Sequence, residues 1–508
     1  MRRNRALARA TDYTLCPPDK TRKASEQYVR TYQSIGPMAL NMNEAQFFFT
    51  CYTPGLPWFA TPLDADVMYN PAIADDIKQE VSQIAMLRDL TILAILEQTA
   101  QNGGIGWYEA QRQLIRSVLV FGSGLQKVND DQTCQNFRID QFVTQRDAMG
   151  NPVEHVTEEC IDPLKLTDSQ LEAVGLKRDD LRAKTRKERE QKLYTHINQN
   201  EKGEWVTTQE VNGYQLQEER KEPICRYVAS ATRLAAGDHY GTSPFSQHLA
   251  ELAAADELGL RLTQIAAIVS NVKWAVNHGS PTDPEHLTFD SGNVIRATVQ
   301  AGQATDIATV FAQVGNAPAI VEASLARLTK SMAESFGIVG AALPNKDRVT
   351  ATQVERVSGQ LEQLLGGALS SFQATTQPHQ IEILKHDLAS KLPEIPKGME
   401  KFISTRVLTG TAQAVRQIKS RRMLSAIELA SRMPPEAQRS IDYGAILEAV
   451  FRYENIWEPG MFKSKQEQQQ EAQQAAALQA QMQGAQAGAN EAARVAGAVA
   501  EQQLAPQQ

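Results

Sequence analysis

The sequence contains few cysteines and few aromatic residues, and it has no long apolar run. Its five cysteines are far apart and form no CxxC pair; they are Cys16, Cys51, Cys134, Cys160 and Cys225. This pattern argues against a disulfide framework or a metal centre and is typical of reduced thiols. Because no stretch reaches the roughly 18 apolar residues that a membrane-spanning helix needs, we expect no membrane anchor.

The signatures of common enzyme classes are also missing. There is no GxxxxGK[ST] phosphate-binding loop, no HExxH and no GxSxG. The nearest glycine-rich stretch, at 122–127, lacks the required spacing and is interpreted as a turn. His379 and His386 do not have the i, i+4 spacing of a helical metal pair, and no nucleophile is recognisable beside His239. We therefore expect no catalytic residues, no bound metal and no cofactor.

Positive charge is too scarce for tight, static binding of a nucleic acid. The formal net charge is -7, the sequence pI is about 5.8, and aromatic residues make up 6% of the chain. Tight binding to phosphates needs clustered lysine and arginine. The charged stretch at 177–192 interleaves both signs and is interpreted as a solvated helix face. The basic start of the chain is not followed by an apolar segment, so residues 1–29 are expected to form a flexible arm.

The first half of the chain alternates predicted helices and strands. A helix is predicted at 74–101, with one apolar face formed by Ile77, Val81, Ile84, Leu87, Leu90 and Ala94. A second helix at 107–117 is expected to run into a strand at 117–121. Further strands, of which the first two form a hairpin, are predicted at 142–146, 153–157, 193–198, 205–211 and 224–230.

Two long helices flank a compact insertion in the middle of the chain. Ser243 and Pro244 are a favourable N-cap and first-turn residue for a helix of about 28 residues, or about 42 Å. Pro318 opens a second helix. Turn residues and short strands occupy 273–317 between the two helices. The pattern predicts a helix–insertion–helix unit.

The segment after the second helix is the most distinctive part of the sequence. Residues 337–348 are rich in glycine and end in a polar tip, which predicts a mobile loop between two helices. The helix that follows is expected to break at Gly366-Gly367 and to kink or break again at Pro378. The candidate contact residues of the loop are Asn345, Lys346 and Arg348, and the candidate hinges are Gly337, Gly340, Gly366 and Gly367. A strand near 402–408, helices over 411–432 and 435–453, and a Gln/Ala-rich tail complete the chain.

This order of segments, together with several local motifs, resembles the portal, or head–tail connector, proteins of short-tailed, podovirus-type bacteriophages. The matching motifs are the hairpin at 142–151, Tyr194-Thr195-His196-Ile197, Tyr240-Gly241-x-Ser243, Arg348-Val349-Thr350-Ala351-x-x-Val354, and Leu365-Gly366-Gly367. The resemblance covers residues 30–460 approximately. It rests on the order and spacing of these motifs together, because each one alone is only moderately specific.

The resemblance implies a fold class that is α+β and mainly helical, and an assembly of subunits as a dodecameric ring around a central channel. The implied regions are a flexible basic arm (1–29), a wing (30–242), a stem helix (243–272), a clip (273–317), a second stem helix (318–337), a tunnel loop (338–349), a kinked long helix with a returning wing strand (350–410), crown helices (411–462) and a Gln/Ala-rich tail (463–508).

The resemblance also implies a function at one vertex of the virion, after assembly in the host cytoplasm. The implied partners are other copies of the chain, double-stranded DNA without sequence specificity, the terminase large subunit, major capsid and scaffolding proteins, and tail adaptor and internal core proteins. Lys346, Arg348 and Asn345 would face the DNA. The alternatives are another ring-forming head-completion or adaptor protein, and an enzyme of unknown chemistry. A packaging motor would need the phosphate-binding loop that is missing here.

The residues are compatible with such a ring. In a ring of subunits, one face of each stem helix packs on a neighbour, and small residues would let the helices approach closely: Ala253, Ala254, Ala255, Ala266 and Ala267. A channel of about 100 Å faces about 60 phosphates of duplex DNA. A chain with a net negative charge would bind these phosphates only weakly.

Overall fold

The computed structural model describes most of the N-terminal two-thirds of the chain and parts of the rest. The described residues are 1–17, 31–52, 57–64, 67, 75–99, 105–216, 219–270, 274–276, 299–300, 303–304, 307–309, 317–338, 367–396, 398–399, 403–408, 423–428, 446 and 450. The chain forms two compact units, Met1–Val415 and Arg416–Gln508. In the second unit residues 423–428 are helical, and most of the two helices predicted there lies outside the described residues.

The helices of the first unit include four long ones besides the predicted pair in the middle of the chain. In chain order they are α1 (Arg2–Ala10), α2 (Ile35–Cys51), α3 (Asp75–Thr99), α4 (Trp107–Phe121), α5 (Asp168–Ala173), α6 (Arg178–Arg182), α7 (Arg186–Arg189), α8 (Pro244–Gln247), α9 (Leu249–Ser270), α10 (Ala317–Ser335) and α11 (Ala368–Asp387). Short 3₁₀ turns lie at Tyr13–Leu15, Pro163–Lys165 and Ala389–Lys391.

The described strands form antiparallel sheets. They are β1 (Phe59–Ala60), β2 (Ser123–Val128), β3 (Cys134–Phe137), β4 (Phe142–Arg146), β5 (Pro152–Ile161), β6 (Gln191–Gln199), β7 (Trp205–Val211), β8 (Tyr214–Gln215), β9 (Arg220–Glu222), β10 (Tyr227–Ala231), β11 (Trp274–Val276), β12 (Val299–Gln300), β13 (Gln303–Ala304), β14 (Ile307–Thr309) and β15 (Arg406–Val407). A six-stranded sheet has the order β4-β5-β6-β7-β8 with β9 on β7, and a central three-stranded sheet has the order β10-β2-β3.

The predicted hairpin is confirmed as β4 and β5, with Phe142 opposite Thr157 and Thr144 opposite His155. The predicted strands at 193–198 and 205–211 are β6 and β7, which pair along most of their length. Alternate residues of β6 are buried, so one face of the sheet packs inward and the other meets solvent. The charged stretch at 177–192 lies beside this sheet as the two short helices α6 and α7 and the start of β6.

The predicted strand at 117–121 is wrong. These residues are the last turn of α4, and the chain enters β2 only after Gly122. The helix is buried almost all round in this turn, so its apolar run looked like a strand; periodicity alone cannot distinguish a buried helix from a strand. Gly122 ends the helix in the left-handed region, with φ 80°, and its N–H donates to Val118 O at 2.8 Å.

The two long helices are confirmed, and the described residues between them include short strands. The first helix is divided at His248, because the His248 N–H donates to Phe245 O in a tight i→i+3 turn before α9 begins. Between α9 and α10 the described strands form two small antiparallel pairs, β11 with β14 and β12 with β13. Ala255 is buried against the core, whereas Ala253, Ala254 and Ala266 are exposed.

Of the kink or break predicted at Pro378, the break is wrong, because Pro378 does not end α11. The helix continues from Ala368 to Asp387 with Pro378 inside it. An internal proline costs about 3 kcal/mol. The side chains of Gln377 and Gln380, on either side, form buried hydrogen bonds to other elements, which offsets this cost. The strand predicted near 402–408 is confirmed as β15, which pairs with β1.

Two further expectations are corrected. Residues 2–10 of the predicted flexible arm are a helix, α1, which buries Leu7, Ala8 and Ala10 and contacts α9 and α4. In α3, Ile77 and Leu87 of the predicted apolar face are exposed. The buried face of α3 instead includes an acid, and its members are Val81, Ala85, Asp89, Ile92 and Leu96. Because Asp89 is polar, the spacing of apolar residues alone did not reveal this face.

Within the described part of the chain, every helix is too short or too polar to cross a bilayer. The main hydrophobic core lies between α2, α4, the central sheet, α8 and α11, and its largest buried side chains are Trp58, Trp107, Tyr52, Phe47 and Phe48. This core holds the helix ends described next.

Candidate functional site

The structure describes two of the predicted site residues, Gly337 at the end of α10 and Gly367 at the start of α11. Both adopt left-handed backbone conformations, with φ of 69° and 83°. The predicted site residues outside the described part of the chain are Gly340, Asn345, Lys346, Arg348 and Gly366. The candidate site is therefore built from the two helix ends that bound residues 339–366.

Gly337 ends α10 in a Schellman motif. The Ile338 N–H donates to Ala333 O at 2.8 Å, and the Gly337 N–H donates to Glu334 O at 3.1 Å. These two bonds satisfy carbonyls that a helix end otherwise leaves unpaired. Ile338 is half-buried and packs on the main core. Gly337 thus fixes where the helix stops and in which direction the chain leaves it.

Gly367 marks the start of α11 in the same backbone region. Its carbonyl accepts the Ser371 N–H at 3.0 Å and the Ser370 hydroxyl at 3.1 Å. A Cβ at Gly367 would meet only the Ser370 hydroxyl oxygen, at 3.8 Å, so the positive φ rather than crowding selects glycine here. Ala368, Leu369 and Phe372 follow at once and are buried.

The end of α10 is held against the start of the α8–α9 helix by aromatic side chains. The rings of Phe336 and Phe245 stack with centroids 4.6 Å apart, and the His248 ring meets Phe336 edge-on at 5.0 Å. Phe245 is completely buried, and Phe336 is 4% exposed. Aromatic pairs of this kind contribute about 0.5–1.5 kcal/mol beyond the area that they bury. These contacts hold the C-terminal end of α10 against α8.

The turn before α8 is packed backbone against backbone. A Cβ on Gly241 would lie 2.1 Å from Thr232 O and 2.4 Å from Gly122 O. The Ser243 hydroxyl donates to Leu119 O at 2.7 Å and accepts the Ser246 N–H at 3.1 Å, so one side chain caps α8 and ties it to α4. This explains the motif Tyr240-Gly241-x-Ser243 in physical terms.

The residues before that turn close the edge of the six-stranded sheet. The Thr144 N–H donates to the Tyr240 hydroxyl at 3.3 Å, and the Arg146 N–H donates to His239 Nδ1 at 3.0 Å. The Arg146 guanidinium also donates to Gly150 O at 2.8 Å and to Ala229 O at 3.0 Å. Side chains thus occupy the free edge of β4, which protects it from pairing with another strand. His239 thus makes a structural contact, as the acceptor of the Arg146 N–H.

A buried network of neutral side chains anchors α11. Gln380 donates to Gln111 Oε1 at 2.8 Å and to Gln126 Oε1 at 2.9 Å, and it accepts the Tyr52 hydroxyl at 2.5 Å. Gln377 donates to the Cys51 carbonyl at 3.0 Å. The glutamines and Tyr52 are completely buried. Because an unsatisfied buried amide costs about 1–3 kcal/mol, this network favours one position of α11 relative to α2, α4 and β2.

An ion pair fixes the other end of α11. Arg226 donates to both carboxylate oxygens of Asp387 at 2.9 Å and also pairs with Glu222 and Asp130. His379 Nε2 lies 2.8 Å from Cys225 O. Burial lowers the pKa of His379, so the ring donates from Nε2 in its neutral form. Nε2 of His379 is therefore occupied by a backbone carbonyl.

The buried cysteines of the chain serve packing. All five cysteines are free, and only Cys160 is exposed. Burial raises the pKa of Cys225 to about 12 and also raises the pKa of Cys134, which makes these thiols poor nucleophiles. Among the described residues, no group of three His, Cys, Asp or Glu side chains has the arrangement of a metal site.

Sequence reasoning missed the glutamine network. Gln111 lies on the buried face of α4, and Gln126 lies in the largely buried strand β2. Gln377 and Gln380 lie three residues apart and so share one helix face. Polar residues at core positions of three different elements were the available signal, but only the fold shows that they meet.

The described fold is an α+β framework that holds two glycine-marked helix ends in fixed positions. Residues 5–456 match the family described as bacteriophage head to tail connecting protein. Because the match covers most of the chain, this protein belongs to that family of structural components, which connect a phage head to its tail.

The known proteins that this chain is similar to are phage portal proteins. The portal protein of Escherichia phage T7 is 26% identical over 421 residues, which is 78% of this chain and 74% of the relative. The portal protein of Enterobacteria phage T3 is 23% identical, with 76% of this chain and 72% of the relative covered. That of Pseudomonas phage phiKMV is 22% identical, with coverages of 86% and 84%. The predicted resemblance is confirmed.

Among solved structures, a chain from the neck of an empty gene transfer agent particle is similar at 12% identity, with a TM-score of 0.41 and coverage of 87% of this chain and 93% of that chain. A chain from the virion of a native gene transfer agent particle has a TM-score of 0.39, at 12% identity and coverages of 86% and 97%.

Proposed function

We propose that this chain is a portal subunit, and that twelve copies form a ring around a channel for double-stranded DNA at one capsid vertex. The family match over residues 5–456 carries the proposal, because it spans the helix–insertion–helix unit and both flanking regions. The portal proteins of phages T7, T3 and phiKMV, which are similar along most of their length, support it. The role is structural rather than enzymatic.

Within the ring, the pair formed by α9 and α10 is the proposed stem. The inner face of α9 buries Leu252, Ala255 and Gly259, so its opposite face remains for a neighbour. That face carries Ala253 and Ala254, which are exposed. Small side chains let helix axes approach within about 8–10 Å. A cyclic ring needs such a heterologous contact between subunits.

The proposed tunnel loop follows Gly337, and Lys346, Arg348 and Asn345 would touch the DNA in passing. The two glycine-marked helix ends support this role, since they would hold the loop between rigid anchors. With one Lys346 and one Arg348 per subunit, each phosphate contact would be transient.

The contact role of the loop is tested by removing its two positive charges. We expect Lys346→Ala with Arg348→Ala to reduce the fraction of filled heads that retain their DNA, measured by nuclease protection. The matched control is Lys184→Ala with Lys202→Ala, which removes the same charge from exposed positions near the six-stranded sheet and should leave retention unchanged. Equal retention in the loop variant and the unmodified protein would remove the contact role.

The remaining partners follow from the same proposal. Residues 273–317 would dock the terminase large subunit, and the wing and stem would meet major capsid and scaffolding proteins. Tail adaptor and internal core proteins would bind when the head is full. The ring would nucleate head assembly, pass DNA inward, retain it and join head to tail.

The ring is tested by electron microscopy of the purified protein, with rotational symmetry counted from class averages. We expect twelvefold rings with an open centre. Ala254→Trp on the exposed face of α9 should abolish rings, whereas Ala173→Trp, at an exposed position of α5, should not. Monomers of the unmodified protein at every concentration and salt would contradict the proposal.

A further inference from the structure

The exposed side of α1 is basic. The helix contains four arginines and no acidic residue. It packs on α4 and α9 through its buried side chains, which are Leu7, Ala8 and Ala10. Arg2, Arg3 and Arg9 are exposed and form what we call the arginine face. Arg9 pairs with Asp256 of α9 at 3.1 Å, whereas Arg2 and Arg3 have no carboxylate partner among the described residues.

The charge of the arginine face favours an acidic protein surface as its partner. Because the apolar side of α1 is buried in the fold, the helix has no apolar face to insert into a lipid surface. Two unpaired arginines per chain would add only weak, salt-sensitive contacts to DNA. The formal net charge of the whole chain is -7, so another copy of the chain offers the opposite charge.

The exposed side of α3 is acidic and partly apolar. Ile77 and Leu87 are 41% and 37% exposed. Glu80 and Glu97 are also exposed, and within the described part of the chain neither of them forms an ion pair. The spacing of Glu80, Leu87 and Glu97 places them on one side of the helix. We call these four residues the acidic face of α3. Exposed apolar side chains beside unpaired carboxylates are typical of a surface that contacts another protein.

We propose that the arginine face of α1 in one copy packs on the acidic face of α3 in the next copy of the ring, an inference that rests on the proposed function. In a heterologous contact two different faces of the chain meet, and these two faces carry opposite charge. Ala6 is exposed between the arginines, and its small side chain would let α1 approach Leu87 closely.

This contact would extend the proposed contact between stem helices. The Arg9–Asp256 pair holds α1 beside α9, and Asp256 lies one turn after Ala253 on the exposed face of α9. A neighbour that packs on Ala253 and Ala254 would therefore also reach α1. Charged pairs at the rim of an interface act mainly on the association rate and on its salt dependence, so ring assembly should weaken as the salt concentration rises.

Charge reversal in the full-length protein tests the contact. The measured quantity is the protein concentration at which half of the chains are in rings, determined by sedimentation velocity. Arg2→Glu with Arg3→Glu should raise this concentration at least about tenfold, and Glu80→Arg with Glu97→Arg should do the same. All four substitutions in one chain should return it to within about threefold of the unmodified protein. The matched control reverses the same charge at exposed positions near the six-stranded sheet, in Lys184→Glu with Lys202→Glu, and should leave it unchanged.

Unchanged ring assembly in either reversal variant would overturn this inference and leave the portal role intact, as would a four-substitution variant that assembles no better than the two reversals. Reduced DNA binding with unchanged rings in Arg2→Glu with Arg3→Glu would assign the arginine face to DNA instead. Absence of rings in the unmodified protein would contradict the proposed function and, with it, this inference.

Photochemical cross-linking provides a second measurement that does not depend on the folding of the reversal variants. A benzophenone side chain in place of the exposed Ala6 should link α1 to peptides of α3 in another copy within the ring. Cross-links that reach other surfaces but not α3 would contradict the proposed contact.

Discussion

At the scale of single residues, the positions of the sequence motifs are points where backbones meet. Gly241 touches the backbones of Gly122 and Thr232, and Ser243 ties the start of α8 to α4. Gly337 ends α10 with a positive φ and two backbone hydrogen bonds. Substitution of these residues acts through crowding or through φ, and the two effects can be distinguished.

Gly241→Ala should destabilise the first unit strongly, because its Cβ would lie 2.1 Å from Thr232 O. Overpacking of this kind costs about 1–3 kcal/mol or more. Gly175→Ala is the matched control, since its φ is 71° but nothing lies within 4 Å of the new Cβ; it should cost only about 1 kcal/mol. Urea unfolding followed by circular dichroism measures both. Equal urea midpoints for the two variants would show that the turn accommodates the added Cβ at position 241 without an additional loss of stability.

At the scale of elements, α10 is anchored at one end and exposed at the other. Phe336, just beyond its last turn, stacks on Phe245, whereas Ile320 in its first turn is 64% exposed. The buried side chains of the helix, Met332 and Ala333, also lie near its C-terminal end. The aromatic contact thus determines where the chain leaves the helix and the following segment begins.

Phe336→Ala should loosen the C-terminal half of α10, because truncation of a buried phenylalanine costs about 3–5 kcal/mol. We expect hydrogen-exchange protection of α10 and α8 to fall at least tenfold, with α7 unaffected. Ile320→Ala, on the same helix, should leave protection within about twofold of the unmodified protein. A similar loss in both variants would show that the aromatic contact does not anchor the helix.

At the scale of the whole molecule, buried titratable groups respond to pH in opposite directions. Burial raises the pKa of Asp89 to about 6, so the stabilisation from its neutral form declines as pH rises from 3.8 to 6. His155, between the six-stranded and central sheets, has Thr144 beside Nδ1 and the rings of Trp205 and Tyr227 on either side. Burial lowers the pKa of His155 to about 3, with further lowering by Arg146 and His379. His155 is therefore neutral in the folded protein near neutral pH.

The stabilisation from neutral His155 should be complete above the ordinary pKa of 6.5 and should be lost as pH falls toward 3. The free energy of unfolding of the unmodified protein, relative to His155→Gln, should decline by at most about 1.4 kcal/mol per pH unit below 6.5. Urea titrations at pH 7.5, 6 and 5 measure this difference. Parallel curves for the two proteins would contradict the assignment.

Local sequence patterns predicted several elements of this fold, but not α2, β2 or β3. Alternation predicted β4 to β7, and the Ser243-Pro244 pair predicted the start of the first long helix, because caps and turns depend on neighbours in the chain. The predictions failed where tertiary packing, rather than the local sequence pattern, determines the structure. The last turn of α4 is apolar on every side, Pro378 is held inside α11 by its buried neighbours, and α1 packs on α9 although its sequence reads as a basic arm.

For the candidate site, the sequence alone determined the two glycines at the helix ends, the motif around Ser243 and the resemblance to head–tail connectors. Only the tertiary structure decided which distant residues meet. Gln111, Gln126 and Gln380 come from three elements, and Asp89, Thr61, Lys385 and Thr405 come from four segments. Such contacts depend on how helices and sheets pack, and no spacing along the chain encodes them.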